Sequence, residues 1–533
     1  MAEQVEKDSA KSLKASHFDN NNVSSNTIEG WEEVFQNTDN PPEAHHKFQE
    51  IPGPNHTLPR AAAPIAYFYL FFTDILLKTI VNETNAYANN VLSRRNLHPN
   101  SRARKWKDIT IPELKAFIAC IINMGLQKRP SISSYWSTND SQYNPWFHRM
   151  FSRNRFQLIL KFLHLADTRN LPRPGQPGYD PCAKIQSLID HANTIFRQLY
   201  TPHEQMSIDE SLVGTKNHTE LLQYLPNKHH HRWGIKLWML CDSVSKYCLA
   251  FYIYRGAQSA ADRLEIQQNG LAHTVVMKLL TMGNYLSKGY HIFVDNFFTS
   301  IPLAKALYDL GTYITGTIRR NRKFLPKPLT EKFGVGITKY FRQGPILTIG
   351  YREKKSQRVP VILLSSKSKA EGTTHFRTRR GQTEETVKPF AVECYNNYMG
   401  GIDTSDMMLY TYLDERRTVK YWKKVCFNVF SRMILNSYIM YKESLLSEEK
   451  PIIRFRFMIS IVKTLAKEWQ SAKKTSGAES NKLEKLPERK EKDCCVCSAR
   501  NKSDGGKRRR SRTICSICKK GLHSACFPQH KCN

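Results

Sequence analysis

The run His291-Ile-Phe-Val-Asp-Asn-Phe-Phe-Thr-Ser300 decides how this chain is read. Ile292, Phe293 and Val294 favour a buried strand, Asp295 ends it, and Asn296 breaks it. Ser300 then stands as an N-cap, with Pro302 in the first turn of a helix that continues to Tyr308. A buried strand that ends on a carboxylate and passes into a helix is one way α/β enzymes display a reactive acid. A single acid in that place serves equally well to cap a turn, so the reading depends on partners elsewhere in the chain.

Outward from this strand the chain divides by texture. Met206-Ser-Ile-Asp-Glu-Ser-Leu212 alternates, with Met206 and Ile208 on one face and Asp209 on the other. Residues 233–242 alternate too and are expected to pair with 247–254 as a hairpin. A helix near 274–286 and a further strand at 312–318 complete a mixed α/β sheet, spanning 205–318. Residues 61–204 carry helical periodicity (Phe72, Leu76, Ile80), with Pro112 opening one helix and Ser152 capping another. Basic residues (Arg94, Arg95, Arg102, Arg104, Lys105, Lys107) lie between these helices.

Residues 319–389 are rich in Lys, Arg, Gly and Pro and read as a basic, β-rich insertion. An acidic segment, 390–408, and returning helices over 409–470 follow. The run 471–492 reads as a charged linker and 493–533 as a cysteine-rich end module. Residues 1–60 show no sustained periodicity and are expected to be disordered.

The 533 residues carry a formal charge of +33, yet residues 1–60 are net −5, which leaves +38 on the rest. So large a cation excess on a folded body favours a polyanionic partner, and nucleic acid is the first candidate. The polar, acidic N-terminus lacks the basic-then-apolar pattern of a signal peptide, and the apolar run from Ile65 stops at Asp74, too soon for a membrane span. Seven of the thirteen cysteines fall between Cys494 and Cys532, a density that reads as metal ligation in a reducing compartment.

Their pairs are Cys494-x₂-Cys497, Cys515-x₂-Cys518, His523-x₂-Cys526 and His530-x-Cys532. Four pairs of soft or borderline ligands match two tetrahedral Zn²⁺ sites, expected to interleave first with third and second with fourth. About 40 residues have too little core to fold alone, so such zinc would be structural. Cys495 makes the first ligand ambiguous, and the irregular last pair is the weakest. Inside this module Lys507, Arg508, Arg509, Arg510 and Arg512 form a basic run that suits nuclear import, phosphate contact or both, and places the chain in the nucleus.

Phosphoryl transfer on DNA with two hard cations needs several carboxylates converging from separate elements. Asp209, Asp295 and Asp403 with Asp406 are the candidates. Asp403 and Asp406 stand three apart and would share a helix face, although two acids at a helix start also satisfy its dipole. Trp422, among Arg416, Arg417, Lys420, Lys423 and Lys424, suits stacking on an unpaired base as well as packing in a helix core. The triple His229–His231 reads as loop.

Four strings in order, 206–212, Tyr224-Leu-Pro-Asn-Lys-His-His-His-Arg-Trp-Gly-Ile-Lys236, 294–300 and Met399-Gly-Gly-Ile-Asp-Thr-Ser-Asp406, resemble the motifs of piggyBac-type transposases. The resemblance covers about residues 65–533 and implies a ribonuclease H-like catalytic core with flanking helical dimerisation and DNA-binding segments. It implies Mg²⁺- or Mn²⁺-dependent cleavage at transposon ends and reinsertion at TTAA sites by a homodimer. Position by position, Asp209, Asp295 and Asp403 match the catalytic, metal-holding triad, and Asp406 a further acidic position. The family's C-terminal cysteine-rich domain reads DNA, which the module here would do also. A domesticated DNA-binding protein that cuts nothing is the competing expectation.

Overall fold

The computed structural model describes residues 30–43, 46–60, 62–94, 97–226, 231–256, 260–379, 382–415, 418, 420–446, 448–476, 483–487, 490–498, 509–516 and 518–530. The chain forms two compact units, one of Met1–Phe71, Pro172–Leu413 and Arg417–Pro451, the other of Phe72–Leu171, Asp414–Arg416 and Ile452–Asn533.

The first unit is built on a ten-stranded sheet. Its strands are β1 (Glu32–Val34), β4 (Gln205–Gly214), β5 (Leu222–Tyr224), β6 (Trp233–Asp242), β7 (Cys248–Ile253), β8 (His291–Val294), β9 (Tyr313–Thr317), β10 (Thr338–Gln343), β11 (Ile346–Tyr351) and β12 (Val361–Ser365); β2 (Gly53–Pro54) and β3 (Tyr200–Thr201) pair apart from it. The order is β1-β10-β11-β12-β9-β8-β4-β6-β5, with β7 also on β6. Only β4–β8 and β8–β9 are parallel. Every residue of β8 is buried, as expected for a parallel strand covered on both faces. Behind it Ser300 Oγ accepts the Leu303 N–H at 3.3 Å and opens the Ile301–Asp309 helix, with Pro302 in its first turn.

Four expectations are corrected here. Residues 30–43 and 46–60 are ordered: β1 pairs along β10, and Asp39 forms a bidentate ion pair with Arg342 and accepts the Ala370 N–H at 2.7 Å. Burial would raise the Asp39 carboxyl, but Arg342 and the Ala370 N–H outweigh it and hold it below the usual range. A three-residue edge strand with two acids has no periodicity to betray it. Residues 1–29, expected to be disordered as well, lie outside the described residues.

The basic stretch 319–389 is not a separate module, because β10, β11 and β12 continue the sheet beyond β9. Only β13 (Gly372–Arg379) and β14 (Gln382–Pro389) form a hairpin of their own. Finally, the Tyr421–Glu443 helix belongs to the sheet unit, where it packs on β4 and on the Gly401–Tyr412 helix.

The second unit pairs the Ile111–Leu126 helix with Arg454–Ser476, so its first part and its last helix are distant in sequence. Thr110 caps the former, and Glu113 in its first turn takes both Arg155 nitrogens at 2.7 and 2.6 Å. Ser152 caps Arg153–Phe162 as expected. The segment expected to be a linker contributes instead to the end module: β15 (Leu483–Lys485) pairs with β18 (Thr513–Cys515), and β16 (Lys492–Asp493) with β17 (Arg510–Ser511). No single described helix is long and apolar enough to cross a membrane.

His291 gives the sheet unit an acid-labile point. It is 6% exposed, and its Nε2 bonds Thr315 Oγ1 at 2.8 Å. Burial pushes its pKa down to about 3. Since the unfolded residue titrates near 6.5, the unfolded chain binds the extra proton between those values, and stability falls as pH drops from about 6.5 towards 3. The full shift corresponds to roughly 5 kcal/mol as an upper bound. His291→Gln should therefore melt with a shallower acid dependence over this window; an unchanged slope in thermal melts from pH 7 to 4 would exclude His291 as its origin.

Candidate active site and metal centre

Alternation along β4 places Ser207, Asp209 and Ser211 on one face. In the parallel register Ile208 pairs with Val294, an offset of 86 residues held from Gln205 and His291 onward. The next pair at that offset is Asp209 and Asp295. Asp209 within β4 and Asp295 just past β8 thus come at one level of neighbouring parallel strands, whose backbones are about 4.8 Å apart in the hydrogen-bonding direction. Asp295 also closes the turn after its strand: Oδ1 accepts the Phe297 N–H at 2.9 Å, and its carbonyl takes Thr299 Oγ1 at 2.8 Å. The turn-capping and site-forming readings of Asp295 are both true of its geometry.

Burial pushes the Asp295 carboxyl above its ordinary range, and nearby Glu210 pushes it the same way. The N–H groups of Phe297 and Phe298 and the Arg319 cation only partly offset this. A carboxylate so placed gains from a cation. Arg319 and Arg322, at the carboxyl end of the next parallel strand, were not singled out from sequence. Arg319 Nε donates to Asn296 Oδ1 at 3.0 Å, and Arg322 Nη2 donates to the Phe297 carbonyl. Their signal lay in the register, because β8 pairs with β9 at an offset of 22, which sets position 319 near 297.

Asp403 lies in the first turn of Gly401–Tyr412 and is exposed. Gly401 is required there: a Cβ would stand 2.2 Å from Ser207 Oγ, so only glycine lets the helix start against β4. Farther along, Asp406 Oδ1 takes Arg432 Nη2 at 2.7 Å, and the same nitrogen donates to Ser211 Oγ at 2.8 Å. The helix is thus fixed to β4 on both sides of Asp209, with Asp403 between the two attachments. Asp406 does not share Asp403's exposed aspect; its carboxylate is spent on Arg432. Among the described residues the three carboxylates do not form a group with all ligand atoms mutually within 4.8 Å. Two ions about 3.5–4 Å apart require a cage wider than one ion's shell. The donor set is all oxygen, as magnesium-type ions demand, so the residues fit.

Trp422 is corrected. It is 3% exposed on the inner side of Tyr421–Glu443, where Cys426 and Val429 follow at helical spacing, so it cannot stack on a base. Lys423 is buried beside it, and Lys424 donates to the Gly214 carbonyl at 3.0 Å; Arg416 and Arg417 lie outside the described residues. Trp422→Ala should cost about 3–5 kcal/mol, the usual loss for a buried aromatic. It should lower the urea midpoint of the sheet unit, whereas DNA affinity lost without any stability change would restore the stacking role.

In the end module, Cys494, Cys497, His523 and Cys526 gather with ligand atoms within 4.8 Å, as do Cys515, Cys518 and His530. The pairs therefore interleave, and each set has the make-up of a metal site. Cys532 lies outside the described residues. Cys494 is buried and Cys495 exposed, which removes the ambiguity of the first ligand. His523 Nε2 faces the Arg510 carbonyl at 3.0 Å, leaving Nδ1, 3.3 Å from Cys497 Sγ, for a metal. Cys495 Sγ meets His530 Nδ1 at 3.5 Å, while Nε2 faces Cys518 Sγ at 3.3 Å. Arg509, Arg510 and Arg512 are exposed, and Lys507 and Arg508 lie outside the described residues. Arg512 meets Glu491 at 3.3 Å, a surface pair worth under about 1 kcal/mol that a phosphate could displace.

A five-strand core β7-β6-β4-β8-β9, antiparallel through β7, β6 and β4 and parallel through β4, β8 and β9, with Asp209 midway along β4 and Asp295 just past β8, is a ribonuclease H-like sheet. The family described as Transposase IS4 matches residues 63–438. PiggyBac transposable element-derived protein 5 of Homo sapiens is 25% identical over 82% of this chain and 80% of its own length. PiggyBac transposable element-derived protein 2 of Homo sapiens is 24% identical over 75% of this chain and 65% of its own. A cryo-EM structure of a piggyBac transposase synaptic complex with hairpin DNA superposes with a TM-score of 0.68, at 26% identity, over 89% of this chain and 97% of that one. The chain belongs to the transposase family, in its piggyBac branch.

Proposed function

We propose that this chain is a piggyBac-like transposase that cleaves DNA at transposon ends and joins them to TTAA targets. The observation that carries the reading is the parallel register of β4 and β8 up to Ile208 and Val294, which Asp209 and Asp295 directly follow, with Asp403 in the first turn of the helix held against β4. Asp209, Asp295 and Asp403 would hold Mg²⁺ or Mn²⁺, which when bound supplies Lewis-acid activation of the attacking oxygen and charge relief on the leaving one. The chain's own part is placement. The middle of β4 and the carboxyl end of β8 fix two acids, and the Gly401–Tyr412 helix brings the third. Arg319 adds positive charge beside Asp295, where a phosphodiester would enter.

In each step one P–O bond is broken as another is made: water attacks first, and the freed 3′-OH then attacks the opposite strand. The excess of +38 beyond residue 60 supplies non-specific attraction for duplex DNA. The end module, holding two structural Zn²⁺, contributes sequence reading through Arg509, Arg510 and Arg512. The protein works as a homodimer in the nucleus.

A second reading is a domesticated, non-cleaving DNA-binding protein, favoured by relatives whose names mark them as derived from transposable elements. The test is incubation of the protein with TTAA-flanked inverted-repeat DNA and Mg²⁺. Nicking and hairpin formation at the junction support the enzyme. DNA retention without cleavage supports the second reading.

A further inference from the structure

A buried polar contact beside the Asp triad joins three elements of the sheet unit and uses none of the three triad acids. Arg432 is 0% exposed within the Tyr421–Glu443 helix. Its Nε donates to Asn428 Oδ1 at 3.0 Å, one turn back, which orients the guanidinium. A single nitrogen, Nη2, then reaches two other elements: Ser211 Oγ at 2.8 Å and Asp406 Oδ1 at 2.7 Å. Ser211 stands two residues beyond Asp209 on the same face of β4; Asp406 stands one turn beyond Asp403 on its helix. The helix start is already pinned by Gly401 against Ser207, two residues before Asp209.

A charge wholly buried for stability alone is a poor device, because well-packed apolar residues commonly serve as well or better. What an ion pair with a directional third partner adds is a fixed register between elements. Nη1 of the same guanidinium and Nδ2 of Asn428 have no hydrogen-bond partner, so the group is held for its Nη2 contacts rather than for its own full satisfaction.

We propose that Arg432 is a positioning residue for the third carboxylate: by joining Ser211 on the Asp209 strand to Asp406 on the Asp403 helix, it sets where Asp403 stands relative to Asp209. It touches neither substrate nor ion and acts through Asp403. The inference rests on the metal-dependent reading proposed above.

The test separates register from stability. Ser211→Ala removes only the strand-side tether and leaves the Arg432–Asp406 pair intact. The double variant Arg432→Met/Asp406→Leu replaces the buried pair with apolar groups and is expected to keep a melting temperature within a few degrees of wild type. Mn²⁺ alone is titrated into each full-length protein by calorimetry, with Asp295→Asn defining the signal from this site, and Mn²⁺-dependent cleavage is read alongside. The expected result is about tenfold weaker Mn²⁺ binding in both variants, with a matching rise in the Mn²⁺ concentration for half-maximal cleavage. Arg432→Lys/Ser211→Asp, which restores a tether between helix and strand, should recover less than either partner alone would suggest, because lysine lacks the planar fork. A folded double variant with wild-type Mn²⁺ affinity and cleavage would overturn the proposal and leave the Asp reading standing. Absence of any Asp295-dependent Mn²⁺ binding in the wild-type chain would overturn both.

Discussion

Asp295→Asn should reduce Mg²⁺-dependent cleavage at a TTAA-flanked end by at least about a thousandfold while leaving DNA binding within a few-fold of wild type. The size follows from the several kcal/mol of charge stabilisation that a bound divalent ion supplies, at 1.36 kcal/mol per tenfold in rate. Asparagine keeps the Asp295 volume and can still accept the Phe297 N–H that closes the turn. The strand end should therefore stay in place, and the variant isolates charge from shape. Its thermal stability should match or slightly exceed that of wild type, since burial already opposes the Asp295 charge and Glu210 opposes it further. Loss of cleavage with unchanged stability is the signature of a ligand. Retained cleavage would remove Asp295 from the chemistry and leave it as a turn cap. Asp209→Asn should behave alike, because Asp209 follows Ile208 just as Asp295 follows Val294, its register partner.

Removing metal from the end module should have an effect as large, on folding instead of chemistry. Structural zinc in small modules contributes an apparent 10–16 kcal/mol near neutral pH, in the range measured for isolated fingers. Here the buried core under the ligands is little more than Cys494, Cys515 and Leu522, with Leu483, Val496 and Phe527 packed around it. That core cannot hold the segment without metal. A zinc-selective chelator should make residues 483–530 protease-sensitive and their thiols titratable. Among single variants, Cys494→Ser should lose a metal equivalent, whereas Cys495→Ser should retain both by elemental analysis. If Cys495→Ser loses metal and Cys494→Ser does not, the ligand assignment is reversed.

The site was legible wherever a local rule had a single reading. Period-two alternation put Asp209 on its face, the Ser300–Pro302 start fixed where β8 ends, and cysteine spacing gave the interleaved pairs. Trp422 was misjudged because its sequence neighbours are basic, while its helical neighbours, Cys426 and Val429, are apolar. On a helix the residues three and four away decide the environment. The same rule would have exposed Arg432: Asn428, Arg432 and Asn436 form a polar row at intervals of four along the buried middle of the helix. The sheet's closure by β1 was not legible, since pairing between segments hundreds of residues apart leaves no trace in either one, and the stretch holding β10–β12 reads as β-rich without any local sign of which sheet it extends.

That closure bears on how the protein is made. Glu32 pairs with Arg342, so a residue near the start of the described chain has no partner on this strand until about 300 more have left the ribosome. At 5–20 residues per second this delay is roughly 15–60 s. Throughout it the Asp39 carboxylate lacks the guanidinium it meets in the finished protein. The N-terminal segment is therefore among the last pieces to settle, and a nascent chain stalled before residue 342 would present it to chaperones and proteases as an unclaimed strand.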